Sequence, residues 1–302
     1  MNPAQQMQRA FVWACELDVA ARKPGNVSRA SPGHGMDADL FVASAAAAAG
    51  PLCAAGRAVG ERIEGAVRAT LDVAGCNTNL GIALLCAPLA AAWERCGGRG
   101  GLDALRAALG EVLASLDVDD ARAAYRAIAQ ANPGGLGTVP EHDVAQAPRI
   151  TLREAMAIAA PRDRIAWQYV NGYGDVLDIG RPAFEAGASL APAARAPALP
   201  DGGRQWTRAM QRAYLELLAT HPDSHIVRKH GDAVAQCVMA QAEPWRERAR
   251  RGETLDGEPA FAAWDAALKQ RAINPGTTAD LGVASACVSA LCGPGTQRGL
   301  RW

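Results

Sequence analysis

The run Arg22-Lys23-Pro24-Gly25-Asn26-Val27-Ser28, followed by Gly33-His34-Gly35-Met36-Asp37, places cations, turn formers and short polar side chains in a gap between apolar helical segments. Lysine is scarce: Lys23, Lys229 and Lys269 are the only three among 31 basic residues. In a chain that otherwise uses arginine, a compact ammonium at position 23 suits a site that wants a point charge, such as one for phosphate. A basic solvated loop is the plain alternative. Four further polar clusters interrupt the apolar segments. Gly75-Cys76-Asn77-Thr78-Asn79-Leu80-Gly81 ends one helix at Gly75 and opens the next, with Thr78 or Asn79 as its cap. A helix start offers free N–H groups and about half a positive charge, which suits phosphate. An ordinary turn between helices would look the same.

The third cluster is Pro161-Arg162-Asp163-Arg164 with Asp175 and Asp178. On one continuous helix the last two would share a face and could hold a cation, although a solvated acidic face explains them equally. The fourth is His221-Pro222-Asp223-Ser224-His225-Ile226-Val227-Arg228-Lys229-His230-Gly231, whose charged residues belong to a site or to solvent. The fifth, Asn274-Pro275-Gly276-Thr277-Thr278-Ala279-Asp280-Leu281, opens an apolar helix. Thr277 can cap it, with Asp280 at the reciprocal capping-box position. A carboxylate at the mouth of a core helix is equally a candidate ligand for a metal or substrate.

These clusters contain no zinc-binding spacing, Walker loop, Gly-x-Gly-x-x-Gly motif or Gly-x-Ser-x-Gly elbow. What remains is oxygen ligands, amides and cations, a set suited to magnesium and a polyphosphate. Basic and acidic residues balance at 31 each, so no broad surface for nucleic acid or an anionic membrane is expected. The longest apolar run, Leu80 to Trp93, falls short of the about 20 residues that span a bilayer. None of the eight cysteines forms a Cys-x-x-Cys pair, which fits free thiols in a cytoplasmic protein.

The elements that must position these clusters are helical throughout. Val59, Ile63, Val67 and Leu71 recur every fourth residue. Similar patterns predict helices at about 4–21, 38–56, 79–95, 101–115, 119–131, 161–178, 204–220, 226–242, 258–272 and 278–292. Asp119 or Asp120 is expected to cap the helix at 119, and Asn132-Pro133-Gly134-Gly135 to stop it. Thr151-Leu152-Arg153-Glu154 reads as a capping box. Residues 133–150 and 191–203 read as loops. The expected fold is all-α, a single multi-helix domain over 1–292 with a C-terminal tail at 293–302.

Taken in order, the clusters resemble the triphosphoribosyl-dephospho-CoA synthase family. The carrying residues are Glu16, Lys23 to Ser28, His34 with Met36-Asp37, Gly75 to Gly81, Asp223-Ser224 with Arg228-Lys229 and Gly231, and Pro275-Gly276 with Ala279-Asp280-Leu281. Each motif is short, but together they span nearly the whole chain. The resemblance implies an all-helical enzyme that transfers the 5-triphosphoribosyl group of ATP to the 2'-hydroxyl of 3'-dephospho-CoA and releases adenine. One departure stands out. Citrate-lyase members of the family read Asn-Thr-His-Lys-Gly where this chain has Asn77-Thr78-Asn79-Leu80-Gly81. That leaves open a related transferase of pterin or furan one-carbon cofactor synthesis, or a magnesium-dependent N-glycoside hydrolase. A non-catalytic helical scaffold is the remaining alternative.

Under this resemblance Glu16, Asp37 and Asp280 are the expected ligands of Mg2+. Asp223 or Asp37 is the base, and His34 an acid or phosphate contact. Lys23, Arg228 and Lys229 would neutralise phosphate, with Asn26, Ser28, Asn77, Thr78, Asn79, Ser224, Thr277 and Thr278 as further nucleotide contacts. The expected partners are ATP and a nucleotide-like small-molecule acceptor, with neither nucleic acid nor membrane; a homo-oligomer is left open.

Overall fold

The computed structural model describes residues 1–33, 38–131, 148–189 and 204–293. Among them are fourteen α-helices and one π-helical segment, with no strand. The all-α expectation holds. In order these are α1 (Pro3–Ala20), α2 (Ala38–Leu52), α3 (Val59–Ala74), α4 (Leu80–Arg95), α5 (Gly101–Ser115), α6 (Val118–Ala131), α7 (Leu152–Ala159), α8 (Arg164–Val170), the π-helical Asp175–Gly180, α9 (Arg181–Ser189), α10 (Arg204–Leu218), α11 (Ser224–His230), α12 (Asp232–Arg250), α13 (Pro259–Gln270) and α14 (Gly276–Cys292). They fall into two compact units: Met1–Trp13 with Leu40–Gly174, and Ala14–Asp39 with Asp175–Trp302. All eight cysteines are free thiols. No helix is long and apolar enough to cross a membrane among the described residues.

In the first unit α3 packs on α6 and on α4, and α4 packs on α5. Gly60 allows the α3–α6 approach, because a Cβ there would lie 2.5 Å from the Asp120 carbonyl oxygen. Asp120 also accepts the Gly60 amide at 2.7 Å. The cap of α6 is Asp117 rather than Asp119 or Asp120. Its carboxylate takes the Asp120 amide while Asp120 takes the Asp117 amide, a reciprocal box one turn earlier than expected. Thr151 and Glu154 form the capping box read from the sequence. Pro88 inside α4 has no N–H to give Leu84. The Tyr169 hydroxyl donates to that freed carbonyl at 2.6 Å, and Tyr173 donates to Leu85.

The single helix expected over 161–178 is broken. Gly172 and Tyr173 both have left-handed φ, 61° and 62°, which ends α8 before the π-helical turns begin. The wider π-helical winding puts Asp175 in the interior and Asp178 in solvent, so they do not share a face. Asp175 lies 3.5 Å from the His221 ring instead.

In the second unit α14 is apolar nearly all round, and Val283, Ala284, Ala286, Cys287 and Val288 are fully buried. Around it lie α9, α10, α11 and the π-helical segment. Tyr214, Leu218, Ile226, Val238, Phe261, Leu268 and Ile273 form a second apolar core, with Trp245 and Trp264 packed against it. The helix expected over 226–242 is two helices. Gly231, at φ 86°, ends α11, and α12 then runs on through Pro244 to Arg250.

Candidate active site

Three of the five polar clusters meet in the second unit: the loop after α1, the start of α11 and the start of α14. The loop is held from several sides. Lys23 is fully buried, and its ammonium lies 2.7 Å from Asp18 Oδ2, against Asn26 Oδ1 and 6.0 Å from the Tyr214 ring centroid. Tyr214 donates to the Pro24 carbonyl at 2.7 Å, and Gln211 donates to that of Arg22. Gly25, at φ 82°, has no room for a side chain: a Cβ would meet Pro275 Cδ at 2.8 Å and the Ile273 carbonyl oxygen at 2.9 Å. Asn26 donates to Asn274 at 2.8 Å, joining the first cluster to the fifth.

Two residues that sequence reasoning missed complete this hold. Asp265 on α13 is buried and accepts the Gly25 amide at 2.9 Å. Lys269, one turn later, reaches Asp265 and both the carbonyl and the hydroxyl of Ser31. Burial lowers the Lys269 pKa, opposed by Asp265 and reinforced by the charges of Lys23 and Arg22. Two of the three lysines therefore fix the same loop. The rarity of lysine was the available signal, but its use here is structural.

Arg22 differs from its neighbour. Among the described residues its guanidinium has no hydrogen-bond or ion-pair partner, and its Nε is buried. The buried Ser28 hydroxyl likewise has none, although the Ser28 backbone bridges to Ser31. Lys229, near the end of α11, is exposed and equally unpaired among the described residues. Arg228 beside it and Ser224 at the start of α11 are both partnered.

Asp223 ties the fourth cluster to the fifth. Its Oδ1 accepts the amides of His225 and Ile226, and its Oδ2 accepts the amide and hydroxyl of Thr278 at 2.7 and 2.8 Å. Burial raises its pKa while these four donors oppose the rise. The arrangement is a clamp between α11 and α14. It also corrects the expected cap of α14. Pro275 occupies the N-cap position, Thr277 lies buried inside the first turn, and Asp223 supplies the capping oxygen for Thr278 from another helix. Asp280 therefore sits in the second turn, outside any capping box. It is half-exposed. Its charge acts on the buried Cys15 thiol together with those of Asp18 and Glu16, and burial followed by these charges raises the Cys15 pKa. Glu16 and Asp280 thus both act electrostatically on the same thiol.

Magnesium takes one or two carboxylates and completes its shell with phosphate and water. Among the described residues no cluster of three or more His, Cys, Asp or Glu could hold a metal by itself. His34 and Asp37 lie outside the described residues.

Asn77, Thr78 and Asn79 belong to the first unit. Gly75 ends α3 at φ 66°, as its position suggested. Asn79 occupies the N-cap position of α4, but its Oδ1 takes the Thr70 hydroxyl at 2.8 Å, and Asn77 caps the Leu80 amide instead. The Thr78 hydroxyl and the Asn79 side-chain amide nitrogen are buried without partners among the described residues. Two donors at a helix start are thus unused.

A family model described as CitG, ATP:dephospho-CoA triphosphoribosyl transferase, matches residues 4–298. The chain belongs to this family. It is an enzyme of the transferase class that the family comprises. Among solved structures, a provisionally named triphosphoribosyl-dephospho-CoA synthase from Archaeoglobus fulgidus superposes with a TM-score of 0.61 at 25% identity, covering 84% of this chain and 99% of that one. No curated protein matches. The family assignment rests on that match over residues 4–298, and the roles of Arg22, Asp265 and Lys269 come from the structure.

Proposed function

We propose that this enzyme transfers the 5-triphosphoribosyl group of ATP to the 2'-hydroxyl of 3'-dephospho-CoA, releasing adenine, in a magnesium-dependent reaction. The observation that carries the reading is the joining of the Arg22–Ser31 loop, α11 and the start of α14 in one unit of a chain that matches the family from end to end. That unit offers two cations without partners among the described residues, Arg22 and Lys229, and two half-exposed carboxylates, Glu16 and Asp280.

In this reaction the bond between the ribose anomeric carbon and adenine N9 breaks, its electron pair leaves with adenine, and the acceptor oxygen bonds to the same carbon. Positive charge develops on the ribose as in other glycosyl transfers. Adenine leaves more readily when protonated, so an acid donates to it while a base takes the acceptor's proton. His34 is assigned as the acid and Asp37 as the base. Asp223 has both oxygens occupied and is assigned to positioning. Arg22 and Lys229 meet the triphosphate, whereas Lys23 holds the loop that carries Arg22. Glu16 and Asp280 would hold magnesium, which neutralises and orients the polyphosphate when bound. Ser28 carries a hydroxyl suited to phosphate or ribose oxygens.

Chromatographic measurement of free adenine tests the reading. Adenine should appear only when ATP, Mg2+ and dephospho-CoA are all present. Adenine released from ATP without an acceptor would favour hydrolysis. Release requiring a pterin or furan alcohol instead would move the enzyme to one-carbon cofactor synthesis.

A further inference from the structure

On α10, Arg208 and Arg212 stand one turn apart and line an open surface pocket. Gly187, Gly252, Glu253 and Leu255 form other parts of its wall. Like charges at i,i+4 repel by a few tenths of a kcal/mol on a helix, and arginines so placed normally recruit acids. These two do not. Arg208 donates to the Gly252 carbonyl at 2.7 Å and to the Thr254 hydroxyl at 2.6 Å, both neutral. Arg212 reaches only the Arg250 carbonyl, at 3.3 Å, and its Nε is buried with no partner among the described residues.

The neighbouring acids are committed elsewhere. Glu216, the i,i+4 position from Arg212, is held in a two-pronged pair by Arg250. Glu253, in the pocket wall, is held by Arg248 at 2.6 Å and Arg251 at 2.7 Å. Among the described residues both guanidiniums of the pocket therefore lack a countercharge.

We infer that this pocket is an oxyanion-binding site for a small phosphate-bearing molecule, held by Arg208 and Arg212. Two guanidiniums supply two charges, which match a phosphate dianion better than a monocarboxylate. Their planar forks also suit paired hydrogen bonds to phosphate oxygens. The ligand is either free phosphate or the phosphoryl group of a metabolite, since both present the same oxygens. The inference does not depend on the reaction assigned above.

Calorimetric titration with inorganic phosphate, glycerol phosphate and acetate tests the site. The protein should bind phosphate saturably, and tighter binding of glycerol phosphate would identify a phosphoryl metabolite as the ligand. Acetate should bind at least tenfold more weakly. Arg208→Gln and Arg212→Gln should each weaken phosphate binding tenfold or more. Arg212→Lys keeps the charge but loses the fork, and should weaken it several-fold with an unchanged far-ultraviolet spectrum. Lys229→Met and Arg22→Gln should leave this binding intact. Absence of saturable binding by the wild type would overturn the inference, as would wild-type affinity in Arg208→Gln and Arg212→Lys.

Discussion

Replacing Lys23 by Met separates the two roles this residue could have. The Lys23 ammonium is fully buried, 2.7 Å from Asp18, and Asp18 has its other oxygen buried without a partner among the described residues. Methionine preserves most of the stem's packing but leaves the Asp18 carboxylate alone. Breaking a buried pair by removing one partner costs about 3–5 kcal/mol. Burial already holds the Asp18 carboxyl above its ordinary value of 3.8, so protonation can relieve part of the loss, and about 3 kcal/mol is expected near neutral pH. With a urea slope of about 3 kcal/mol/M, the unfolding midpoint should fall by about 1 M. The sign with pH follows from the direction of the shift. A carboxyl whose folded pKa is raised contributes stability that is present below its unfolded value and is lost as pH rises through the folded one. The deficit of Lys23→Met should therefore narrow on acidification towards 3.8. Adding Asp18→Asn should recover much of the loss. Urea titrations of the two single variants and the double variant, followed by circular dichroism, measure this cycle. A midpoint for Lys23→Met within 0.2 M of wild type at neutral pH, about 0.6 kcal/mol at that slope, would refute the reasoning and return Lys23 to the solvent-facing cations.

Asp280→Asn should keep the wild-type unfolding midpoint and lose turnover; undiminished turnover would remove Asp280 from the metal ligands. Arg22→Gln and Lys229→Met should each weaken ATP binding about tenfold by calorimetry, since charge-assisted hydrogen bonds are worth about 1.5–3 kcal/mol, with little effect on stability. Gly25→Ala should destabilise the protein by more than the ~1 kcal/mol of an ordinary glycine substitution, because its Cβ would strike Pro275 and Ile273; a wild-type thermal midpoint would contradict that packing. Arg126 holds the Glu64 carboxyl below its usual range through paired hydrogen bonds at 2.7 Å. That contribution, at most about 1 kcal/mol for so exposed an arginine, is present above pH 4.5 and lost below it. Glu64→Gln should flatten the acid limb of the stability profile.

Much of the helical framework was legible because burial imposes the period of an α-helix on the sequence. The capping box at Thr151 and the left-handed stop at Gly75 needed only local chemistry, so they could be read directly. Elements fixed by tertiary contacts could not. Asp223 caps α14 from another helix, which no spacing between Thr277 and Asp280 reveals. The break at Gly172–Tyr173 was hidden because tyrosine rarely takes a left-handed φ, and here its hydroxyl is anchored on Leu85. Asp265 and Lys269 lie about 240 residues from the loop they hold, on a helix with no motif of its own. The sequence marked the loop as important but could not tell which of two adjacent cations turns inward. Lys23 meets Asp18 one turn back along α1 and its extension, while Arg22 is left without a partner among the described residues.

The proposed reaction turns on which bond of ATP is broken and where the ribose goes. Mass spectrometry of a reaction containing ATP labelled with carbon-13 in the ribose, dephospho-CoA and Mg2+ answers it directly. The account predicts unlabelled free adenine and an equal amount of dephospho-CoA carrying the labelled ribose with all three phosphates. Labelled ADP or AMP with no adenine, or labelled ribose triphosphate free in solution, would contradict it.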